Sequence, residues 1–268
     1  MIIIFRMFKI KHYIIVRFYC YDFNVLPKGT LFDEKFLNNA IDVFKKTCIK
    51  SLENQTCKDF ELLVLINNDI SKNHPSIVKL NELCKTTSFV SKVLKVNELN
   101  IQNDKKYDYI ITSRIDFDDF AKFDAVEEIQ STTSNLPYVV FGYLNGIAIK
   151  DINNTNTCLE YLPTYGSNGP MSVMATLIVN TKTCKEFLTV IDMVNHAMLR
   201  RTLMKVYEKN NITYTDDAYV LNKDRLSYLY VNTGFNVSCA SNPDKKWGVV
   251  DNKVVRSKDW YKIKFGLE

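Results

Sequence analysis

Tyr107-Asp-Tyr-Ile-Ile-Thr112-Ser-Arg114-Ile-Asp116-Phe117-Asp118-Asp119 is the stretch on which the reading of this chain turns. Tyr107 to Thr112 is aromatic and β-branched and reads as a strand. It runs directly into three carboxylates within four positions, which repel one another unless a positive charge lies close. On an extended chain Asp116 and Asp118 share one side while Phe117 packs inward. Carboxylates so placed offer hard oxygen ligands to Mg2+ or Mn2+, ions usually held by one or two carboxylates plus substrate phosphate. A diphosphate held in this way leaves readily, because its developing charge is neutralised. The plainer alternative is a solvated acidic turn in which Asp118 or Asp119 caps the next helix. The strand immediately before the cluster favours the first reading.

Upstream, strands and helices alternate. His12 to Phe18 reads as a first strand, and Leu37, Ala40, Ile41, Phe44, Cys48 and Leu52 recur at helical spacing to about Glu53. Phe60 to Ile66 is a nearly continuous apolar run of the kind buried on both faces of a parallel sheet. Ile77 to Cys84 suggests a short helix and Ser91 to Val96 another strand. This is the order of an α/β fold, a mostly parallel sheet flanked by helices. Ligands of such sheets collect at the carboxyl ends of the strands. Asp69, closing Asn67-Asn68-Asp69 after the second strand, falls there and can accept hydrogen bonds from a nucleobase or ribose, or form an ordinary turn. Arg17, at the end of the first strand, can clamp a phosphate bidentately. Arg114 can pair with Asp116 or Asp119, or meet the diphosphate. Surface ion pairing is the alternative for both arginines.

Downstream the pattern loosens. Tyr138 to Ile149 reads as a bent strand or a hairpin around Asn145-Gly146, and Met174 to Val179 as a further strand. Phe187, Ile191, Val194 and Met198 mark one face of a long helix continuing towards Glu208, with Asn210 and Asn211 as terminators. Asp216 and Asp217 precede an expected short helix from Ala218 to Leu221, and Leu226 to Val231 reads as a last strand. Either aspartate can cap that helix, and one of them can act as general base on an incoming hydroxyl. His196 lies on the long helix, as a structural residue or a functional one. The expected organisation is one domain over 1–268. A first half would span about 10–125, an elaborated second half about 126–240, and a basic segment 241–268.

Composition narrows the classes. The chain has 268 residues, 46% hydrophobic, with 16 Phe and 15 Tyr, enough for a substantial core and too many for disorder. The net charge of +5 is terminal: residues 1–20 carry +4, residues 241–268 carry +3, and the 220 between them −2. Together with the absence of zinc-finger or helix-turn-helix signatures, this gives no nucleic-acid surface. Trp247, Trp260 and Tyr261 among the terminal lysines can close over a diphosphate, lie peripherally against an anionic membrane, or pack as a solvated tail. The seven cysteines are scattered without a CxxC pair, which points to free thiols in a reducing, cytoplasmic setting. No dinucleotide fingerprint, Walker loop or nucleophile elbow occurs.

Beyond these residues the chain resembles a nucleotide-sugar-dependent glycosyltransferase of the GT-A fold, and within that fold a rhamnosyltransferase-like group. Ser51-Leu-Glu-Asn-Gln55-Thr-Cys-Lys-Asp59-Phe60-Glu61 is similar to the group's passage leading into the second strand. Thr112-Ser-Arg114-Ile-Asp116-Phe-Asp118-Asp119 is similar to its acidic segment, which carries the Asp-x-Asp metal motif. His12 to Phe18 resembles its opening strand. Tyr230 to Ser238 resembles a late passage whose usual His is replaced here, leaving a third metal ligand unassigned. The resemblance implies Arg17, Asp69, Arg114 and Asp116 near the nucleotide, and Asp116, Asp118 and Asp119 at Mn2+ or Mg2+. It also implies Asp217, with Asp216 beside it, as base for inverting transfer. His196 matches an Asn-His of the group. The partners implied are a nucleoside diphosphate sugar and a glycan or other hydroxyl acceptor. Two rival readings are a degenerate, glycan-binding relative and a sugar nucleotidyltransferase; the second would want a Gly-rich basic loop where Tyr19-Cys-Tyr-Asp-Phe stands.

Overall fold

The computed structural model describes residues 8–19, 32–144, 146–149, 158–161, 173–193, 198–222 and 228–231. Four parallel strands form one side of a seven-stranded sheet: β1 (Ile10–Arg17), β2 (Glu61–Ile66), β3 (Val90–Lys95) and β4 (Tyr109–Asp116). Beyond β4 the sheet continues with β9 (Ala175–Asn180), antiparallel to its neighbours, then β6 (Tyr138–Tyr143) and β10 (Tyr219–Asn222), which run with β4. The strand order is β10-β6-β9-β4-β1-β2-β3. A second sheet has the order β5-β11-β7-β8, from β5 (Phe120–Ala121), β11 (Tyr228–Val231), β7 (Gly146–Ile149) and β8 (Cys158–Tyr161). The mostly parallel α/β sheet expected from the sequence is therefore the architecture found.

Side-chain alternation sends each strand to two cores. Ile14, Val16 and Phe18 of β1 and the residue after it, with Leu62, Val64 and Ile66 of β2, meet four helices on one face: α1 (Glu34–Phe44), α2 (Lys50–Glu53), α3 (Pro75–Lys85) and α4 (Ala125–Ser131). Ile15, Leu65, Val140, Leu177 and Val179 meet Val190, Met193 and α5 (Leu199–Lys209) on the other face. Burial on both faces explains why β2, β6 and β9 are mostly apolar along their length, with no polar alternation. Asp33 caps α1, its carboxylate accepting from the Phe36 N–H at 2.6 Å. Asn210 caps α5 and Asn211 follows at φ 52°, a conformation Asn tolerates.

Three local expectations change. The long helix through Phe187 does not form over 187–193; the described helix there is α5, beginning at Leu199. Thr189 offers its N–H and hydroxyl to Asp192 Oδ2 at 2.7 and 2.8 Å, and the Val190 N–H bonds Thr112 Oγ1 at 2.8 Å. Those bonds compete with helical ones, in a run of β-branched residues. The hairpin at Asn145-Gly146 is replaced by a change of sheet, because β6 and β7 belong to different sheets. Asp216–Ala218 is a single 3-10 turn, and Tyr219–Asn222 is strand β10 where a helix was expected.

His12, 1% exposed, ties three strands of the main sheet together. Its Nε2 lies 2.8 Å from Ser113 Oγ on β4, which lies 2.6 Å from Thr176 Oγ1 on β9. Burial pushes the His12 imidazole down to about 3, so it is neutral at physiological pH. The unfolded chain, with an ordinary His near 6.5, takes up the proton that the folded chain refuses. This contribution is therefore complete above about pH 6.5 and is lost as pH falls towards 3, by about 1.4 kcal/mol per pH unit. Urea unfolding of the wild type and His12→Gln at pH 7.5 and 5.0 is expected to show about 2 kcal/mol more acid loss in the wild type. Equal losses in the two proteins would contradict it.

Candidate nucleotide-binding edge

The strand order places a topological switch point between β1 and β4. From β1 the chain moves outward to β2 and β3, then returns to β4 on the other side of β1. A crevice opens at the carboxyl ends of the two strands that part there. Arg17 and Asp116 are the last residues of β1 and β4 and stand directly opposite in register. Being register partners they project to one face, and the Arg17 Nε and Nη2 donate to Asp116 Oδ1 at 3.1 and 2.7 Å. Both side chains keep about a quarter of their surface open, 26% and 28%, so the pair faces solvent at the crevice. Arg114, two residues before Asp116 on the same face, is buried.

Asp116 ends the strand, and Asp118 and Asp119, which follow it, are both buried. The turn closes with the Asp119 N–H on the Asp116 carbonyl at 3.2 Å, and β5 follows at once. The acidic segment is thus the corner joining the main sheet to the second one. The helix-cap alternative for Asp118 and Asp119 is not realised, since the next helix, α4, is preceded by Asp124. Phe117 packs into the core as expected, against Phe18 and Tyr19 at ring distances of 5.3 and 5.0 Å.

Two residues that sequence reading passed over shape this edge. Tyr19, just beyond β1, takes φ 48°, and Met174, entering β9 beside the end of β4, takes φ 56°. Positive φ is strained for such bulky side chains and tends to mark functional turns. Burial, reinforced by nearby Asp118, raises the Tyr19 phenol far above its usual range. Nothing in residue type could have pointed to either, because the positive-φ residue is usually glycine.

Asp69 lies on the same sheet edge, exposed, after β2, its N–H bonded to Asn67 Oδ1 at 2.8 Å. Beside it a surface recess of about 510 Å3 is lined by Ser71, Lys72, Asn73, Lys95, Asn97 and Glu98. Its walls are fastened by Lys72–Glu98 at 2.7 Å, Lys95 Nζ on the Asn68 carbonyl at 2.7 Å, and the Asn97 N–H on Asn68 Oδ1 at 3.0 Å. Arg17, Arg114, Asp69 and the acidic segment therefore share the carboxyl edge.

Asp216 and Asp217 do not join them. They precede β10, which runs parallel to β4, so they stand at the amino edge of the sheet. Tyr219 is in register with Val140, Leu177 and, through β9, Thr112. Asp217 is therefore on the order of 20 Å from Asp116, from strand rise and spacing. Asp216 is 82% exposed and pairs with Arg200 at 2.8 Å. His196, the chain after Val231 and the basic segment 241–268 lie outside the described residues.

The donor chemistry suits a hard divalent cation, since the acidic segment supplies carboxylate oxygens alone. Among the described residues no three His, Cys, Asp or Glu side chains are grouped so as to hold a metal by themselves. Such a cation would therefore need further donors, as Mg2+ and Mn2+ bound to substrate phosphates have. The four cysteines with described side chains (Cys48, Cys57, Cys84 and Cys184) are free thiols. Cys48 is raised well above its ordinary range by burial, with Asp119, Asp118 and Asp116 adding to the effect, which suits no nucleophile. No helix among the described residues is long and apolar enough to cross a membrane.

The resemblance to the rhamnosyltransferase-like group is shown over residues 28–150, which match a family described as "Putative rhamnosyl transferase". That span runs from just before α1 to just past β7 and contains the Ser51–Gln55 passage, Asp69 and the acidic segment. Among solved structures, the chain is similar to S. aureus TarS 1–349 in complex with UDP. The identity is 14% and the TM-score 0.40, over 82% of this chain and 60% of that one. It is also similar to the mannosyltransferase PcManGT from Pyrobaculum calidifontis in complex with GDP-Man and Mn2+. There the identity is 10% and the TM-score 0.37, over 81% of this chain and 56% of that one. The chain thus spans about 60% of the length of the TarS 1–349 structure. No curated protein matches it. The α/β architecture rests on the strand order and directions given above.

Because Arg17 and Asp116 are both partly open to solvent, the pair should contribute little to stability. Asp116→Asn is expected to change the urea unfolding free energy by less than about 1 kcal/mol. A loss above about 3 kcal/mol, the cost of breaking a buried pair, would show that the pair is a structural core element and not an open site.

Proposed function

We propose that the chain transfers a sugar from a nucleoside diphosphate sugar to an acceptor hydroxyl, with its donor on the carboxyl edge of β1, β2 and β4. The observation that carries this reading is the Arg17–Asp116 pair at the switch point, of which Asp116 lies inside the stretch that matches the rhamnosyltransferase family. A rhamnosyl donor follows from the family description, and a glycan is the acceptor class that suits it.

In this reading Asp69 and the recess beside it take the nucleoside, through hydroxyl and amide groups that can meet a ribose or base edge. Arg17, whose guanidinium already lies at the edge, turns from Asp116 towards the diphosphate and holds it by charge-assisted hydrogen bonds. Asp116 and Asp118, at Asp-x-Asp spacing, would hold Mn2+ or Mg2+ together with the diphosphate, with Asp119 behind them. The ion supplies charge neutralisation to the departing diphosphate. The acceptor oxygen forms the new bond at the anomeric carbon as the sugar–diphosphate bond breaks, and its proton passes to a base. Asp216 and Asp217 are left out of that role, because their place at the amino edge puts them far from this carbon.

The test is release of nucleoside diphosphate from a panel of UDP-, GDP- and dTDP-sugars with and without Mn2+. One of these donors is expected to be turned over with metal stimulation, and Asp116→Asn with Asp118→Asn to cut the stimulated rate at least about 100-fold, the size of a lost electrostatic contribution. Undiminished stimulation in the double variant would sink the assignment. Asp217→Asn is expected to retain transfer within about threefold, less than about 1 kcal/mol in barrier; a loss of several hundredfold would restore it as base.

A further inference from the structure

Thr47, just ahead of the Ser-Leu-x-x-Gln passage, and Ser51 and Gln55 at its two ends are buried polar side chains directed to one neighbouring segment. Thr47 is 0%, Ser51 1% and Gln55 4% exposed, at a spacing of four residues. Each reaches the backbone of the segment that follows Asp116, which runs through β5 to the start of α4. Thr47 Oγ1 lies 2.9 Å from the Phe117 carbonyl and 2.8 Å from that of Val43. Ser51 Oγ accepts from the Ala121 N–H at 3.4 Å while donating to the Cys48 carbonyl at 2.9 Å. The Gln55 amide donates to the Lys122 carbonyl at 2.7 Å and accepts from the Val126 N–H at 3.0 Å. Next to it, the Thr56 N–H bonds the Phe123 carbonyl at 2.8 Å.

Filling this space would need only apolar side chains. Polar ones at three successive turns instead satisfy the backbone of 117–126, which sheet pairing leaves partly unpaired. The helix is also distorted to do so: Lys45–Ile49 is a π-helical turn, a feature that often marks function, and Thr47 sits at its centre. The Phe117 carbonyl belongs to the peptide plane between Phe117 and Asp118, and that plane is rigid. Anchoring it orients the chain between the two carboxylates of the Asp-x-Asp pair.

We propose that Thr47, Ser51 and Gln55 are positioning residues that fix the acidic segment in the geometry that takes a divalent cation and a nucleoside diphosphate. This deepens the reading of Asp116 and Asp118 given above and rests on it. The three residues touch neither cation nor substrate; they act through the backbone of the segment.

The test uses the full chain, with Thr47→Val, which keeps the shape and loses the hydroxyl, and Thr47→Ser, which keeps the hydroxyl. Mn2+ affinity in the presence of UDP or GDP is read from the free Mn2+ signal by electron paramagnetic resonance. Amide exchange over 117–121 is read by mass spectrometry without metal. Thr47→Val is expected to weaken Mn2+ binding about tenfold and to speed exchange at 117–121 about tenfold, with Thr47→Ser within twofold of wild type in both. Ser51→Ala, a milder change, is expected to speed exchange at Ala121. Unchanged exchange in Thr47→Val and Ser51→Ala overturns the proposal, as does a Thr47→Ser variant as impaired as Thr47→Val. Faster exchange with Mn2+ affinity unchanged also overturns it, since the role would then be structural alone. Should the wild type and Asp116→Asn with Asp118→Asn bind Mn2+ equally, the reading of the site fails, and the exchange data report separately on the clamp.

Discussion

The parallel pairing of β1 with β4 is the constraint from which the rest of this molecule follows. Eight register pairs run from Ile10–Tyr109 to Arg17–Asp116. They bring together two strands that leave the switch point on opposite sides. A shift of one residue would invert every side chain and break both cores. The register is held at its lower end by the buried His12–Ser113–Thr176 chain, which crosses three strands, and along its length by apolar burial on both faces. Once it is held, Arg17 and Asp116 must meet at the open end.

Around that end the structure puts strain and polarity where a packed core would have neither. Tyr19 and Met174 take positive φ on either side of the β1–β4 crevice. Three carboxylates lie at a corner between two sheets, and three buried polar side chains, Thr47 and Ser51 on the neighbouring helical segment and Gln55 just past its end, hold the corner's backbone. Conformations of this kind cost free energy and persist only when their surroundings over-determine them. Here the surroundings are the aromatic packing of Phe18, Tyr19 and Phe117 and the hydrogen bonds from Thr47, Ser51 and Gln55. The passage that carries the family resemblance and the acidic segment are thus one physical unit.

Much of this was legible along the chain. The nearly continuous apolar run of β2 and the 3.6-residue spacing of Leu37, Ala40, Ile41 and Phe44 gave the parallel sheet and its first helix, because burial on two faces and on one stripe leaves different periods. Asp69 and the acidic segment were placed at strand ends by position alone. The second half was less legible, and for physical reasons. At Thr189–Asp192 side-chain hydrogen bonds displaced a helix that the apolar spacing favoured. At Tyr219–Asn222 pairing with β6 drew into the sheet a segment whose acidic start resembled a helix cap.

The sequence by itself determined the class of fold, the order of elements through β4, and the presence of a carboxylate cluster after an apolar strand. These depend on local periodicity and on residue chemistry, which neighbours in the chain supply. Only the tertiary structure decided that Arg17 faces Asp116 across 99 positions, that Thr47 reaches Phe117 across 70, and that Asp217 stands at the far edge of the sheet. Each depends on the register and direction of strands that pair at long range. Those are fixed by the joint burial of many side chains, and no single stretch of sequence carries them.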